Sequence, residues 1–426
     1  MEEKVKAPVD VVSSSDFDKE PVPLSARRKT FSLMLISFGY VFVATTMQIG
    51  GNIFGAMPFG TAVGVVFVGC AILAALAIIM GIISQHTGLN TVLLSRYTFG
   101  GVSSWVMVFI VAFTSIGWFS VDAGLVGQSV HALFPAIPEK LAALGTVVVC
   151  TLIALKGIKA LEWLADVAVP VVIVFGVISI IKSLGAMGGL TGMAAKVSND
   201  GSFTFNSAVI ACVGIYAQAA VMFTPDIMRF AKTKKAAFII MLLSLMIANP
   251  FVLLIGGFGA TATGFYDIAY ILAAQGLLVG SFLALVLNMW STMNGCIYTG
   301  TLAITSTVKV DRWKLVLGFG VIAFILTWIN LFNHFIGFIS LLTGFIPPLA
   351  GIFLYDYLIT YRKNYPEFSS TKFKAVNPAS FIAWVVAIIV PYVCPWGITI
   401  VDAVIAGFLT KLLCDKVFHI NSAVEA

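Results

Sequence analysis

Apolar residues run along this chain in stretches long enough to cross a bilayer, a task that takes about 20 residues as a helix. They fall at 31–56, 60–84, 104–130, 139–155, 161–184, 206–229 and 235–259, and again at 270–305, 314–333, 335–361, 378–394 and 397–415. Lipid offers the backbone no hydrogen bonds, so the pattern predicts an all-α membrane protein with twelve transmembrane helices. The first 30 residues are polar, with no short apolar core and no small-residue cleavage site. They read as a retained tail and not a signal peptide; residues 416–426 form a second tail.

Composition strengthens this reading. Of 426 residues 60% are apolar and 10% charged, against about 45–50% and about 25% in soluble chains. No room is left for a large soluble domain. The six cysteines are scattered, with no CxxC pair and no histidine at metal spacing, which argues against a disulfide framework or a zinc site. The net charge of +6 is spread over loops and forms no clustered patch, so nucleic acid is not expected as a partner. Cytoplasmic loops collect Lys and Arg. With both termini cytoplasmic, the inner side holds 22 of the 25 basic residues and the outer side only Lys140, Lys182 and Lys196. A multi-pass protein of the cytoplasmic (inner) membrane is expected.

No run contains a P-loop, a GxSxG elbow, an HExxH pair or a Gly-rich dinucleotide turn. No catalytic residue and no organic cofactor are expected, which leaves a secondary transporter, a channel or an enzyme embedded in the membrane. Transporters often bind substrate near the midplane, at discontinuous helices. Run one contains Gly39, Thr45, Thr46, Gly50, Gly51 and Gly55. Run six contains Gly214, Gln218 and Thr224-Pro225-Asp226. Breaks in helices 1 and 6 match a five-plus-five inverted repeat, residues 31–184 and 206–361, followed by two C-terminal helices over 378–415. Gly and Pro are also simply commoner in membrane helices.

Polar groups deep in the spans are candidate sites because burying them in hydrocarbon is costly. Ser115, Trp118 and Asp122 share one face of run three. An aromatic plane beside a carboxylate suits a flat heterocycle bearing N–H groups; a packing Trp and an acid snorkelling to water fit equally. Tyr216 and Gln218 flank the run-six break, where they could close a pocket or bond a neighbouring helix. Run eight gathers Asn288, Ser291, Thr292 and Asn294. Adjacent hydroxyls with carbonyls of an unwound partner helix are what a dehydrated Na⁺ needs, although Ser and Thr also pack helices. Pro347-Pro348 predicts a kink in run ten. Asp226 with Arg229, and Asp356 with Arg362, read as structural ion pairs or helix-end charges.

The motifs PVPLSARR, HTGLNTVLLSRYTFG, GWF, DIMRF, AQGLL, LNMWST and FIPPLAGIFLYDYL together resemble the nucleobase:cation symporters, in particular the bacterial cytosine permease branch of the purine/cytosine permeases. The resemblance implies twelve helices, ten of them in the inverted repeat. It implies a substrate ring stacked between Trp118 and an aromatic at the helix-six break, nearest matched by Tyr216. It also implies Na⁺ held by helix-one carbonyls near Gly39 and Val43 and by Asn288, Ser291 and Thr292. The chain departs from cytosine permeases in having Ser115 where they have Gln and Met293 where they have Asn. Asp122 stands where other members carry an amide.

The expectation is therefore an importer of a nucleobase-like heterocycle, cytosine or a purine, coupled to Na⁺ by alternating access. Trp118 and Tyr216 would sandwich the ring, and Ser115, Asp122, Gln218, Asn288 and Asn294 would surround its polar edge. The alternative couples H⁺ through Asp122 and carries an aminopyrimidine precursor of thiamine. A channel would need a repeated polar stripe or charged ring, and a membrane hydrolase a paired acid or a nucleophile with its base. Neither pattern is present.

Overall fold

A computed structural model describes residue 17 and residues 19–102, 104–155, 158–196, 201–266, 268–305, 307–418 and 423–425. Inside its helices the side chains at 158–169, 269, 278–285, 287, 291 and 418 are outside that description. Most of the first tail, part of the last and the Ser291 side chain thus lie outside the described residues. Among the described residues there are no strands, only isolated bridges between Arg28 and Ala231 and between Phe373 and Val424.

The helices in order are α1 (Thr30–Val41), α2 (Ala44–Ala56), α3 (Phe59–Thr87), α4 (Thr91–Phe99), α5 (Ser104–Leu133), α6 (Glu139–Ala154), α7 (Ile158–Met187), α8 (Leu190–Ala195), α9 (Phe205–Gly214) and α10 (Thr224–Met228). Then follow α11 (Lys234–Leu243), α12 (Asn249–Thr263), α13 (Ile268–Ala274), α14 (Leu278–Thr305), α15 (Arg312–Trp328), α16 (Phe335–Phe345), α17 (Pro347–Tyr355), α18 (Pro378–Val393) and α19 (Thr399–Phe418). Five described helical bodies are long and apolar enough to cross a bilayer, or up to seven when each bent pair is one span. The others include α6 and α18 at 16 residues and α15 at 17. Each of these rises about 24–26 Å, somewhat less than the hydrocarbon core of about 30 Å.

The helices are interrupted where the backbone explains it. α1 and α2 meet at 52° through Phe42 and Val43, the latter in extended conformation. α9 and the segment Ala219–Met228 meet at 43°. There a π turn over Ala219–Phe223 leads into α10, with Pro225 in its first turn, where a missing N–H costs nothing. A second π turn, Ser244–Ala248, precedes Pro250 in the same way. The interruption expected at Pro347-Pro348 separates α16 from α17. The run expected over 270–305 is two helices. α13 ends before a turn in which Gly276 takes a left-handed φ of 69°, and α14 begins at Leu278.

The glycines of run one do not open the helix. Gly50 and Gly51 lie within α2, and a Cβ on Gly50 would stand 1.9 Å from the Leu253 carbonyl oxygen of α12. Gly256 of α12 returns the contact, its Cβ position lying 1.8 Å from the Met47 carbonyl oxygen. Small residues let two membrane helices approach backbone to backbone. Gly256→Ala should therefore cost about 1–3 kcal/mol of stability by overpacking, read as a lower thermal midpoint of the purified protein. An unchanged midpoint would show that α2 and α12 can part freely.

Elsewhere α14 packs along α5 and α7, and α19 against α17 and α18. Three of the four charged residues expected to act at helix ends bond backbone or hydroxyl groups. Asp226 accepts from the Thr91 backbone N–H at 3.0 Å, joining α10 to the start of α4. Arg229 donates to the carbonyls of Asp226 and Phe17. Asp356 is 1% exposed and accepts from Thr360 at 2.9 Å. Arg362 is exposed, whereas Lys411, fully buried, pairs with Asp415 at 3.5 Å.

Candidate binding cavity

The two helix breaks leave backbone groups without helical partners, and a side chain from α14 takes up those of the first. The Asn288 amide oxygen accepts from the Ala44 N–H at 3.2 Å, and its amide nitrogen donates to the Phe42 carbonyl. One buried side chain thus clasps both sides of the break. The expected sodium contacts at Gly39 and Val43 lie on either side of the Phe42 carbonyl that Asn288 meets.

α5 supplies the flat surface. Trp118 is held edge-on by Phe335 at 6.0 Å and Phe338 at 5.5 Å between ring centres, both from α16. Gly117 allows this approach, since a Cβ there would meet the Phe338 ring at 2.4 Å. Edge-to-face packing fixes the orientation of the indole.

These elements enclose one cavity. Its wall is formed by Tyr40, Val43, Thr45 and Thr46 at the first break and by Trp118 and Asp122 of α5. The second break adds Ile215, Tyr216, Gln218, Ala219 and Phe223, and α14 adds Thr292, Gly295 and Cys296. A Cβ on Gly295 would meet no atom within 4 Å, so this part of the wall is bare backbone facing open space.

Asp122 is the one charged residue among those lining the cavity. It is fully buried, and neither of its carboxylate oxygens has a hydrogen-bond partner. Gln218 is 2% exposed, and its amide oxygen and nitrogen are likewise unpartnered. Leaving such a group unmet costs about 1–3 kcal/mol, more for a charge. A buried polar group without a protein partner is an open position for a water, an ion or a ligand.

Of the residues expected from sequence, Trp118, Asp122, Tyr216, Gln218, Val43 and Thr292 line this cavity together. Thr292 donates its hydroxyl hydrogen to the Asn288 carbonyl at 3.1 Å. Its oxygen lone pairs stay available to a hard cation. Ser115 and Asn294 are not among the lining residues. Ser115 is buried against α14, where a Cβ on Gly300 would stand 3.0 Å from its own Cβ. Asn294 donates back to the Trp290 carbonyl at 2.7 Å. Gly39 lies within α1, outside the wall. Tyr40 and Phe223 were not expected; their rings lie 6.0 Å apart across the two breaks. Among the described residues no three His, Cys, Asp or Glu side chains converge on a metal position.

Comparison with known proteins adds to this geometry. The model of the family described as "Permease for cytosine/purines, uracil, thiamine, allantoin" matches residues 21–414. The cytosine permease of Escherichia coli (strain K12) is 29% identical over 406 residues, covering 95% of each chain. Among solved structures, Mhp1, a nucleobase-cation-symport-1 family transporter, closed with bromovinylhydantoin bound, superposes with a TM-score of 0.79 at 19% identity, covering 94% of each chain. Its inward-facing conformation gives 0.83 at 18% identity, with 98% of this chain and 96% of that one covered. A Na⁺-coupled sialic acid symporter gives 0.61 at 14%, covering 94% and 92%. At these identities the structural likeness speaks for the fold.

Proposed function

The chain belongs to the family of permeases for cytosine/purines, uracil, thiamine and allantoin, multi-pass membrane transporters and not enzymes, and we propose that it imports a nucleobase-like heterocycle together with Na⁺. In this reading the chain crosses the cytoplasmic membrane twelve times with both termini inside. Its first ten spans form two inverted halves, 31–184 and 206–361, joined to two C-terminal helices over 378–415. α1–α2 and α9–α10 are the discontinuous helices 1 and 6.

The observation that carries the reading is the convergence of Asp122 and Gln218, buried and unpartnered, beside the Trp118 plane between two broken helices. Trp118 and Tyr216 would sandwich a planar ring while the two polar groups read its edge. The ion would lie where the first break meets α14, at the carbonyls near Phe42 with Asn288, Ser291 and Thr292. An ion raises substrate affinity only if it binds the two access states differently. Its place at a helix break, which must change as access alternates, would provide that difference.

A ligand that binds only the folded state stabilises it by about 2.7 kcal/mol at a hundred times its Kd. Purified protein should therefore gain thermal stability from one nucleobase, and gain more in Na⁺ than in choline. Equal shifts in both salts would remove sodium coupling, and no shift from any base would remove the proposed cargo. A second reading couples H⁺ through Asp122, because it is the one ionisable carboxyl, with no Lys, Arg or His, among the described residues lining the cavity. Uptake that persists in choline and is lost in Asp122→Asn would select it.

A further inference from the structure

Positive charge gathers where the first tail crosses the start of α11, and we infer that an anionic phospholipid binds there, its phosphate among Lys29, Lys232 and Lys235 and its chains along α1 and α11. Residues 27–29 and 229–235 hold seven basic side chains and no acidic one. The Arg28 N–H donates to the Phe230 carbonyl at 2.8 Å, and a parallel bridge pairs Arg28 with Ala231, so the two stretches lie side by side. Four of the seven side chains are engaged. Arg27 donates to the carbonyls of Gln85 and Ala231, and Lys234 donates to the Tyr357 hydroxyl at 3.3 Å. Arg28 and Arg229 lie against the Phe230 ring at 5.3 and 4.9 Å. Lys29, Lys232 and Lys235 are exposed and meet no acceptor or carboxylate among the described residues. Lys29 and Lys232 each follow a bridged residue, which brings their backbones to neighbouring points of the surface.

These lysines stand at headgroup depth. α1 begins at Thr30, and the apolar helical body long enough to cross a bilayer begins at Lys234. Lysine stems lie along apolar surface and keep the ammonium at the interface. Just inside them, Phe31 and Leu35, 66% and 52% exposed, share one face of α1, and Phe238, 41% exposed, shares a face of α11 with Lys235. α1 packs beside α11. Basic groups between two spanning helices, with apolar faces running away from them, match a lipid that carries an anionic head on two hydrocarbon chains. The acidic residues of the first tail, Glu2, Glu3, Asp10 and Asp16, offer the charge without the hydrocarbon and would leave Phe31 and Leu35 uncovered. A lipid answers both features. α1 leads directly into the first helix break, so a lipid held between α1 and α11 also steadies one wall of the cavity.

The test titrates purified full-length protein in neutral detergent with phosphatidylglycerol or with phosphatidylcholine of the same chains, bound lipid being counted by native mass spectrometry. Phosphatidylglycerol should bind at least about tenfold more tightly, since each lysine near an anionic headgroup is worth roughly a fivefold change in affinity. The double variant Lys29→Gln, Lys232→Gln should lose about tenfold or more of that affinity. Lys372→Gln with Lys374→Gln removes the same charge from two exposed lysines elsewhere and should change it by less than about twofold. Inorganic phosphate at the same concentration should neither displace the lipid nor raise the thermal midpoint. Equal binding of the two lipids overturns the inference and leaves the cluster to the acidic tail. Equal losses in the two double variants overturn the site, reducing the effect to net charge, and displacement by inorganic phosphate overturns the lipid as occupant. Should the first double variant not fold, Lys235→Gln takes its place, with a loss of about fivefold expected and no loss overturning the site. Nucleobase binding is read separately, so none of these outcomes decides the cargo.

Discussion

Trp118→Ala is expected to abolish saturable nucleobase uptake while leaving the protein in the membrane. The indole is the flat group of α5 on the cavity wall, and its plane is set by Phe335 and Phe338. Stacking of a base on an aromatic side chain is worth about 1–3 kcal/mol by alanine substitution, which is roughly a 5- to 150-fold rise in Kd. The loss should exceed a simple affinity effect, because removing the indole also frees the α16 phenylalanines to fall into the cavity. Uptake, Kd and membrane abundance separate the outcomes. Trp118→Phe keeps a planar ring and should recover part of the binding. Unchanged Kd in Trp118→Ala would mean the ring stacks elsewhere, with Tyr216, Tyr40 and Phe223 the remaining aromatics on the wall.

Much of this site was legible in the sequence because a membrane run admits polar residues for few reasons. Asp122 and Gln218 stood out against apolar neighbours, and both reach the same cavity. Aromatics carry less information in a chain with 34 Phe and 11 Tyr, so nothing local distinguished Tyr40 or Phe223 from core. Only their positions, two before Phe42 and one before Thr224, hinted at the breaks. The glycines of run one show a different limit. A small residue eases both helix opening and close packing, and only the partner decides between them. For Gly50 the partner is the α12 backbone at Leu253, some 200 positions away in sequence, and the opening moves to Phe42 and Val43. Ser115 and Asn294 are not among the residues lining the cavity for a related reason: helical spacing places a residue on a face but does not say which neighbour that face meets.

The same long-range dependence governs Asn288, which the sequence offered as an ion ligand and which also closes the first break. Asn288→Ala should lower stability by about 2–6 kcal/mol. It leaves the Ala44 N–H and the Phe42 carbonyl, both buried, without their partner, at about 1–3 kcal/mol each. Asn288→Asp keeps the acceptor for the Ala44 N–H and loses the donor to Phe42, so its thermal midpoint should fall between those of wild type and alanine. Sodium adds an independent readout. If the carbonyls of this break hold the ion, both variants should lose the extra stabilisation that Na⁺ gives over choline, even where substrate alone still binds. If Asn288→Ala loses stability but keeps its full Na⁺ response, the residue is a clasp for the break and the ion lies elsewhere. A role in both places is physically economical: the contact that holds α1 against α2 is then the contact an ion strengthens, and occupancy of the ion site biases the geometry of the helix that faces the substrate.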